Sequence, residues 1–384
     1  MTGDIATDAF SSNSVSWADW NGDGLLDLMF TKASMAQGEF NDFYANVNGT
    51  FTRLVPVGTN FLMEALSSAW GDVDGDGILD VVVSGGAGDR LCTGNGMGGF
   101  TCSEISVGSF GSYGVALADF DGDGFIDVYF ANGGVPVSNH LYSNDGTGTF
   151  TRLMTGDIVT DTAFSFGAAF GDLNSDGFLD LLVVNDIGSN HLYLTNQGSA
   201  FTTMASADIV SETIDASTAA VADYNNDGYP DIYVGNYHGD NRLYTNDGVG
   251  GFTRSINGGN GAYVRDAQWG DFDGDGYVDL FIANLGGTNW LLRNNAGTGS
   301  FTRVTAGDVY GDGAQSLGAA WGDLAPCHPH HHATRTALPP SPCTPPSAVH
   351  LPIQPFSPVR CIPTVCAALA VGAVVQVTSI TTVI

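Results

Sequence analysis

Short apolar runs alternate with polar turns along most of the chain. Between residues 112 and 153, the runs 114–118 and 127–131 flank an acidic turn, and the runs 139–143 and 149–153 flank a Gly-rich turn. Such runs, rich in Val, Phe, Tyr and Leu and bounded by Gly, Asn and Asp, are typical of β-strands, and a Gly-rich turn between two of them is typical of a hairpin. No window sustains the 3.6-residue period of an amphipathic helix. The pattern therefore predicts four strands in this region and few helices in the chain.

This four-strand pattern recurs along the sequence. Its acidic turn fits Asp-x-[Asp/Asn]-x-Asp-Gly-φ-x-Asp, where φ is apolar, at residues 19–27, 72–80, 119–127, 172–180, 223–231 and 271–279. A seventh turn begins at Asp323 and is lost after Leu324. The first aspartates lie 53, 47, 53, 51, 48 and 52 residues apart, a spacing typical of propellers and solenoids. We therefore predict an all-β fold, a β-propeller of four-stranded blades with six complete repeats and an aborted seventh.

Charge narrows the classes of function. The chain carries 11 basic and 41 acidic residues, a formal net charge of −30, which excludes a nucleic-acid-binding surface. With 43% hydrophobic residues it is also too apolar for a disordered acidic tail. Only 4 of the 41 acids are Glu. A preference for the shorter acid indicates turns or metal loops that need a carboxylate close to the backbone.

The nine-residue turn carries the candidate chemistry. Side-chain oxygens at positions 1, 3, 5 and 9, a turning Gly at position 6 and a backbone carbonyl at position 7 suit a hard cation with six to eight oxygen ligands, so the expected ion is calcium. An EF-hand would need Glu at position 12, where the six turns have Phe30, Val83, Phe130, Val183, Val234 and Ile282. Turns that bind no ion remain an alternative, but repulsion among three or four carboxylates in each turn favours a bound counter-charge.

The repeats resemble the FG-GAP or VCBS-type repeats of calcium-binding β-propellers, a family that includes integrin α-subunit heads. The resemblance covers about residues 1–324 and rests on the turn, the flanking Trp-Gly-Asp or Phe-Gly-Asp and a Leu-Tyr-x-Asn hairpin recurring together. It implies that each loop joins two strands of one blade and holds calcium through positions 1, 3, 5 and 9 and the position 7 carbonyl. The implied ligands are Asp19, Asn21, Asp23, Leu25 and Asp27; Asp72, Asp74, Asp76, Ile78 and Asp80; Asp119, Asp121, Asp123, Phe125 and Asp127; Asp172, Asn174, Asp176, Phe178 and Asp180; Asp223, Asn225, Asp227, Tyr229 and Asp231; and Asp271, Asp273, Asp275, Tyr277 and Asp279.

Two departures refine this expectation. Loops one, four and five have Asn at position 3, so we expect them to bind calcium more weakly than the all-Asp loops. The Gly-Ala-Pro half of the integrin-type signature is absent, which moves the likeness toward the VCBS type.

The composition changes at residue 325. All 41 acids lie before it, whereas the last 60 residues contain 11 of the 14 prolines and no acid. We predict a propeller domain at residues 1–324 and a tail at 325–384 that is disordered or results from a frameshift or mis-spliced gene. A membrane anchor over residues 362–384 is less favoured, because Gln376, Thr378 and Ser379 dilute its apolar run. With three strands of the seventh unit missing, we expect a C-shaped or strained six-blade assembly with exposed edges.

Two cysteines bear on the cellular location. Cys92 and Cys102 occupy the two arms of the second hairpin, where they either form a disulfide or remain free thiols. A disulfide would fit an oxidising compartment. We expect a secreted or cell-surface protein, although no signal peptide is visible in this sequence.

The function predicted from these features is a calcium-stabilised extracellular binding or adhesion propeller that recognises a protein or glycan ligand. Its cofactor would be up to six calcium ions. A secreted propeller enzyme acting on polysaccharide, as a lyase or glycosidase, and a non-functional truncated product are the alternatives. No unit inserts an unmatched cluster of His, Lys, Arg and Tyr, so we assign no catalytic residue.

Overall fold

The structure is a computed structural model that describes residues 2–3, 12–32, 41–54, 65–85, 88–106, 111–133, 137–195, 201–204, 208–255, 263–285, 287–305, 316–323 and 366–372. Nearly all of its regular structure is β-strand. Among these residues, two helices of four residues each lie in linkers between repeats. The expectation of an all-β fold with few helices is confirmed.

In each of the six repeats, four strands form an antiparallel sheet in which they follow one another in chain order, and in the first repeat a two-residue strand, Thr2–Gly3, adds to the outer edge in parallel orientation. The first blade contains β1 (Thr2–Gly3), β2 (Ser14–Ala18), β3 (Asp27–Thr31), β4 (Asp42–Val47) and β5 (Thr50–Leu54). The second contains β6 (Ala65–Gly71), β7 (Asp80–Gly85), β8 (Asp89–Gly94) and β9 (Phe100–Ser106). In the third are β10 (Ser112–Ala118), β11 (Asp127–Asn132), β13 (His140–Asn144) and β14 (Phe150–Arg152), while β12 (Val137–Ser138) pairs separately with β15 (Thr162–Ala163).

The remaining blades follow the same plan. Helix α1 (Asp157–Thr160) precedes the fourth blade, which contains β16 (Ser165–Gly171), β17 (Asp180–Asn185), β18 (His191–Thr195) and β19 (Phe201–Thr203). Helix α2 (Asp208–Ser211) precedes the fifth, with β20 (Asp215–Ala222), β21 (Asp231–His238), β22 (Arg242–Asn246) and β23 (Phe252–Ser255). The sixth contains β24 (Val264–Gly270), β25 (Asp279–Asn284), β26 (Trp290–Asn294) and β27 (Phe301–Arg303). A two-stranded sheet, β28 (Ser316–Asp323) with β29 (Cys366–Gly372), completes the set.

The core lies between the blades. Every residue of the second strand of blade three, β11, is buried, as is every residue of β17 in blade four. Leu182 and Val184 on β17 pack in one cluster with Ile232 and Val234 on β21 of the next blade. A second strand is therefore apolar on both faces because each face is covered by a neighbouring blade.

The first strands line the centre of the molecule and contact one another in sequence around it. Strand β28 contacts both β24 of the sixth blade and β2 of the first. The indole N–H of Trp321 donates to the carbonyl of Gln268 at 3.2 Å, and that of Trp17 donates to the carbonyl of Ala320 at 3.4 Å. Trp269 makes the same bond to Ala220 of blade five. The same type of hydrogen bond thus joins blades five and six and also joins β28 to blades six and one, which closes the ring.

The predicted open, C-shaped assembly is therefore wrong at the innermost layer. The aborted seventh unit supplies the one strand that the ring needs between blades six and one. Within the tail, for which we predicted disorder or an origin in a frameshift or mis-spliced gene, residues 366–372 pair with β28 in antiparallel register. An unpaired first strand offers backbone N–H and C=O groups that a β-prone segment can satisfy. The proposed domain boundary at residue 324 stays a prediction, because residues 324–365 and 373–384 lie outside the described part of the chain.

The second blade contains a covalent bridge. Cys92 and Cys102 face each other on β8 and β9 and form a disulfide. Of the two alternatives left by the sequence, the structure has the disulfide and not the free thiols.

Candidate metal loops and a pocket at the opposite end of the blades

Each acidic loop connects the first and second strands of a blade and shapes itself through its own carboxylates. In the third loop, Asp119 Oδ1 accepts the backbone N–H of Gly122 at 2.8 Å, and its Oδ2 accepts that of Gly124 at 2.9 Å. Asp123 Oδ1 accepts the N–H of Phe125 at 2.9 Å. Gly124, at position 6, has φ of 96°, where a side chain would be strained. The Asp and Gly spacing thus fixes a turn in which carboxylates converge.

The aspartate at position 9 opens the second strand and is buried in all six loops. Its Oδ1 accepts a backbone N–H from the end of the third strand at 2.7 to 2.9 Å, donated in loops one to six by Asn46, Gly94, Asn144, Thr195, Asn246 and Asn294. In loops two to six, its Oδ2 accepts the N–H of the residue at position 2. This carboxylate therefore joins the loop to the hairpin of the same blade.

Loops two, three and six each bring three carboxylates together. One oxygen from each of positions 1, 3 and 9 lies within 4.8 Å of the others in the sets Asp72, Asp74 and Asp80; Asp119, Asp121 and Asp127; and Asp271, Asp273 and Asp279. The position 5 aspartates do not belong to these groups of three. Asp76, for example, accepts the N–H of Ile78 at 2.8 Å. The role predicted for the position 7 carbonyls remains a prediction.

Loops with Asn at position 3 have a different arrangement. The Asn174 amide donates to Asp176 at 3.1 Å, and the Asn225 amide donates to Asp227 at 2.9 Å. An amide donor here replaces a carboxylate repulsion with a hydrogen bond. In loops four and five, the carboxylate at position 5 therefore already has a side-chain hydrogen-bond donor from its own loop.

The sixth loop has a cation of its own. Arg293, on the third strand of that blade, lies 2.7 Å from Asp273 and 3.8 Å from Asp275. At the same repeat position in blade three, Ser143 donates to Asp121 at 3.2 Å. No Lys or Arg among the described residues pairs with loops two or three, so these two loops have the largest uncompensated charge.

Unpaired oxygens at these loops fit a hard cation. Oδ1 of Asp72 and Oδ2 of Asp27 are buried without a hydrogen-bond partner among the described residues. An unpaired buried carboxylate oxygen is costly unless an ion or a donor satisfies it. Donor sets made only of oxygen, with the carboxylates already converging, suit calcium better than zinc.

Burial and neighbouring charge act on the position 9 aspartates in the same direction. Burial, together with the nearby Asp121 and Asp123, raises the pKa of Asp127 to about 8 against two backbone hydrogen bonds that lower it. The same causes raise the pKa to about 6 for Asp80 and to about 7 for Asp27, Asp180, Asp231 and Asp279. A cation in the loop would reverse this by favouring the charged form.

Asparagines at the end of the third strand of blades three, five and six connect each of these blades to the loop of the preceding blade. The Asn144 amide donates to the carbonyl of Val73 in the loop of blade two at 2.7 Å and to Ile126 in its own blade at 2.9 Å. Asn246 and Asn294 make the equivalent bonds to Leu173 and Tyr224. The recurring Asn was visible in the Leu-Tyr-x-Asn motif, but its partner lies about 70 residues away, so the sequence did not reveal this role.

A pocket at the end of the blades opposite the acidic loops was also not predicted from the sequence. It is lined by the beginnings of first strands and the ends of second strands, whereas the acidic loops lie at the other ends of those strands. Its side chains include Tyr113, Phe166, Asp186, Asp215, His238 and Arg265. The sequence showed no cluster of this kind because blades three, four, five and six supply only one, three, four and one of the lining residues, respectively.

No described helix is both long and apolar enough for a membrane span.

Comparison with known proteins identifies the repeats. A family model described as FG-GAP-like repeat matches residues 19–83, 72–130, 119–183, 172–234, 223–282 and 271–325. No curated protein sequence matches the chain. The crystal structure of BBS1N in complex with ARL6DN has 11% identity and a TM-score of 0.53, over 83% of this chain and 86% of that one. The biofilm matrix protein Bap1 of V. cholerae has 19% identity and a TM-score of 0.44, over 71% of this chain and 44% of that one. At these identities, the likeness to BBS1N shows the fold alone.

Proposed function

The chain belongs to the FG-GAP-like repeat family, and on that premise we propose that it is a calcium-stabilised extracellular propeller that binds a protein or glycan partner. The observation that carries the calcium assignment is the convergence of three carboxylates in loop two and in loop three without a paired cation among the described residues. Calcium would offset their repulsion and satisfy the buried Asp72 oxygen. Its role would be structural, because the loops lie where blades meet.

Three features support an extracellular binding role. The Cys92–Cys102 disulfide fits an oxidising compartment. The net charge of −30 favours solubility and disfavours nucleic-acid partners. The fold is like that of BBS1N, which was crystallised in complex with ARL6DN, and a protein partner is compatible with that likeness. An enzyme acting on polysaccharide stays an alternative that no observation here favours.

Thermal unfolding with millimolar calcium and with excess EDTA tests the calcium assignment. We expect a higher midpoint with calcium, because an ion that binds only the folded chain at a hundred times its Kd contributes about 2.7 kcal/mol per site. Magnesium at equal ionic strength is the control for general screening of the acidic surface. Equal midpoints in calcium and EDTA would refute the proposal.

A pair of matched variants locates the effect. Asp72→Asn with Asp76→Asn removes two charges from an all-Asp loop, and Asp172→Asn with Asp176→Asn does the same in a loop that has Asn174. We expect the first pair to reduce the calcium-dependent rise in midpoint more than the second, since ligand charge sets much of the affinity. The opposite order would refute the assigned ranking of the sites.

A further inference from the structure

The pocket opposite the acidic loops has a volume of about 540 Å³, within the range of roughly 300 to 1,000 Å³ of small-ligand sites. Four successive first strands contribute to its wall at one repeat position, six residues before the first loop aspartate. These residues are Tyr113, Phe166, Ser217 and Arg265. The pocket therefore lies against the centre of the ring, where side chains that differ between repeats are brought together.

Arg265 is the unpaired cation of this pocket. It forms no hydrogen bond or ion pair with any described residue, and its Nε is buried without a partner. Its guanidinium instead lies 5.8 Å from the ring centre of Phe166 and 5.9 Å from that of Tyr237. By contrast, Arg242 and Arg254 both pair with Glu212. A guanidinium held between aromatic rings, with no partner for its two terminal nitrogens among the described residues, keeps their four N–H donors available for an acceptor supplied by a ligand.

Two carboxylates in the pocket require hydrogen-bond donors from a ligand, whereas Arg265 requires an acceptor. Asp215 lies 3.2 Å from Nδ1 of His238. The Asp186 carboxylate, which is partly buried, accepts no hydrogen bond from the described residues. Ionised carboxylates accept hydrogen bonds and cannot donate them, so the ligand must carry donors as well as acceptors. Their charge also disfavours a compact polyanion such as phosphate.

Aromatic side chains supply flat apolar surfaces beside these polar groups. The rings of Tyr113 and Phe166 lie 4.6 Å apart between their centres, and Tyr237 lies 5.8 Å from Tyr263. A ligand that matches the pocket must therefore present a flat C–H face, hydroxyl donors for Asp186 and an acceptor for Arg265. A pyranose ring combines the first two features, and a carboxylate on that ring adds the acceptor with which Arg forms its best paired contacts.

We propose that this pocket binds a saccharide through a uronic acid unit, with the sugar carboxylate on Arg265, the hydroxyl groups on Asp186 and Asp215, and the ring face against Phe166 and its neighbours. This inference names a ligand class and a face for the proposed binding function and rests on that function. It does not depend on which loops hold calcium.

Binding of short oligosaccharides to the full chain in calcium buffer tests the proposal. The probes are oligosaccharides ending in glucuronate or galacturonate and their neutral glucose and galactose counterparts, measured by calorimetry. Arg265→Gln should weaken binding of the uronate probes by roughly ten- to a hundredfold, because it removes a charged hydrogen-bond partner. It should leave weak binding of the neutral probes nearly unchanged. Asp186→Asn should weaken both sets.

The matched control is Arg303→Gln. Arg303 also lies on blade six and against an aromatic ring, 4.7 Å from the ring centre of Trp290, but outside the pocket. We expect it to bind the probes like the unaltered chain. The unfolding midpoint of every variant shows whether it is folded, and Asp186→Asn gives a second test should Arg265→Gln not fold.

Three results would overturn the inference. One is that no saccharide probe binds the folded, calcium-loaded chain. Another is that uronate probes bind with the same affinity to Arg265→Gln, which would place the sugar elsewhere and leave the proposed binding function standing. The third is that an acidic peptide binds in an Arg265-dependent way while the saccharides do not, which would assign the pocket to a protein partner.

Discussion

Three influences act on the pKa of the position 9 aspartates, and two of them, burial and neighbouring charge, oppose the third, backbone hydrogen bonding. Each is buried, each accepts backbone N–H groups that favour its charged form, and each lies near other carboxylates that favour its neutral form. Burial is the largest influence and raises the pKa, to about 8 for Asp127. Without a metal the folded chain therefore holds protons that the unfolded chain releases.

This imbalance predicts the pH dependence of stability. A carboxyl whose pKa is raised in the folded state contributes most below its unfolded pKa of about 4, and the contribution is lost as pH rises through its folded pKa. In EDTA, the position 9 aspartates should therefore lower the unfolding midpoint as the pH rises from about 4 to about 8. This decrease is judged after the pH dependence caused by the other acidic residues is subtracted. With saturating calcium the fall should be smaller, so the calcium-dependent difference grows with pH. Melting curves at several pH values would check this, and a constant difference would contradict it.

Much of the single-repeat structure could be predicted from the sequence, because its signals are local. The Asp and Gly spacing specifies the turn, and runs such as residues 127–131 specify the strand that follows. Which side chains meet across blades could not be predicted, because those contacts join residues about 50 to 70 positions apart. The bond from Asn144 to Val73 and the pocket around Arg265 are of this kind. Their residue types carry no information about which neighbouring blade they face.

At the scale of strands and loops, the asparagine at the end of the third strand couples one blade to the next. Asn246 donates to Leu173 of blade four at 3.0 Å and to Pro230 of its own blade at 2.9 Å. Asn46 occupies the same position in blade one and donates to Leu26 of its own blade at 3.0 Å. Both side chains are buried, and both accept a hairpin N–H, from Gly248 and Gly49.

These two asparagines allow a matched test of the coupling. We expect Asn246→Ala to lower the free energy of unfolding by about 1 to 3 kcal/mol more than Asn46→Ala, because it also leaves a carbonyl of the preceding loop unsatisfied. Chemical denaturation of both variants in calcium measures the difference. Equal losses would mean that the bond between blades adds no stability.

The ring as a whole closes through a unit that the sequence marks as incomplete. Counting strands predicted a gap, since three strands of the seventh unit are missing. Ring closure at the innermost layer needs only the first strand, and the indole bonds of Trp17 and Trp321 hold that strand to both neighbours. A count of strands per repeat cannot reveal this, because it weights inner and outer strands equally.

Two truncations separate the closing strand from the tail. A chain ending at Leu324 keeps β28 and loses its partner β29, whereas a chain ending at Val304 loses both. We expect the first to keep its β-sheet circular dichroism and its calcium response, with more self-association through the exposed edge of β28. The second should unfold at a clearly lower temperature, because Trp17 loses its acceptor and the core facing blades one and six becomes exposed. Melting curves with light scattering compare the two chains. If the two chains had the same unfolding midpoint, closure by β28 would not stabilise the ring, and the six blades would hold their arrangement without it.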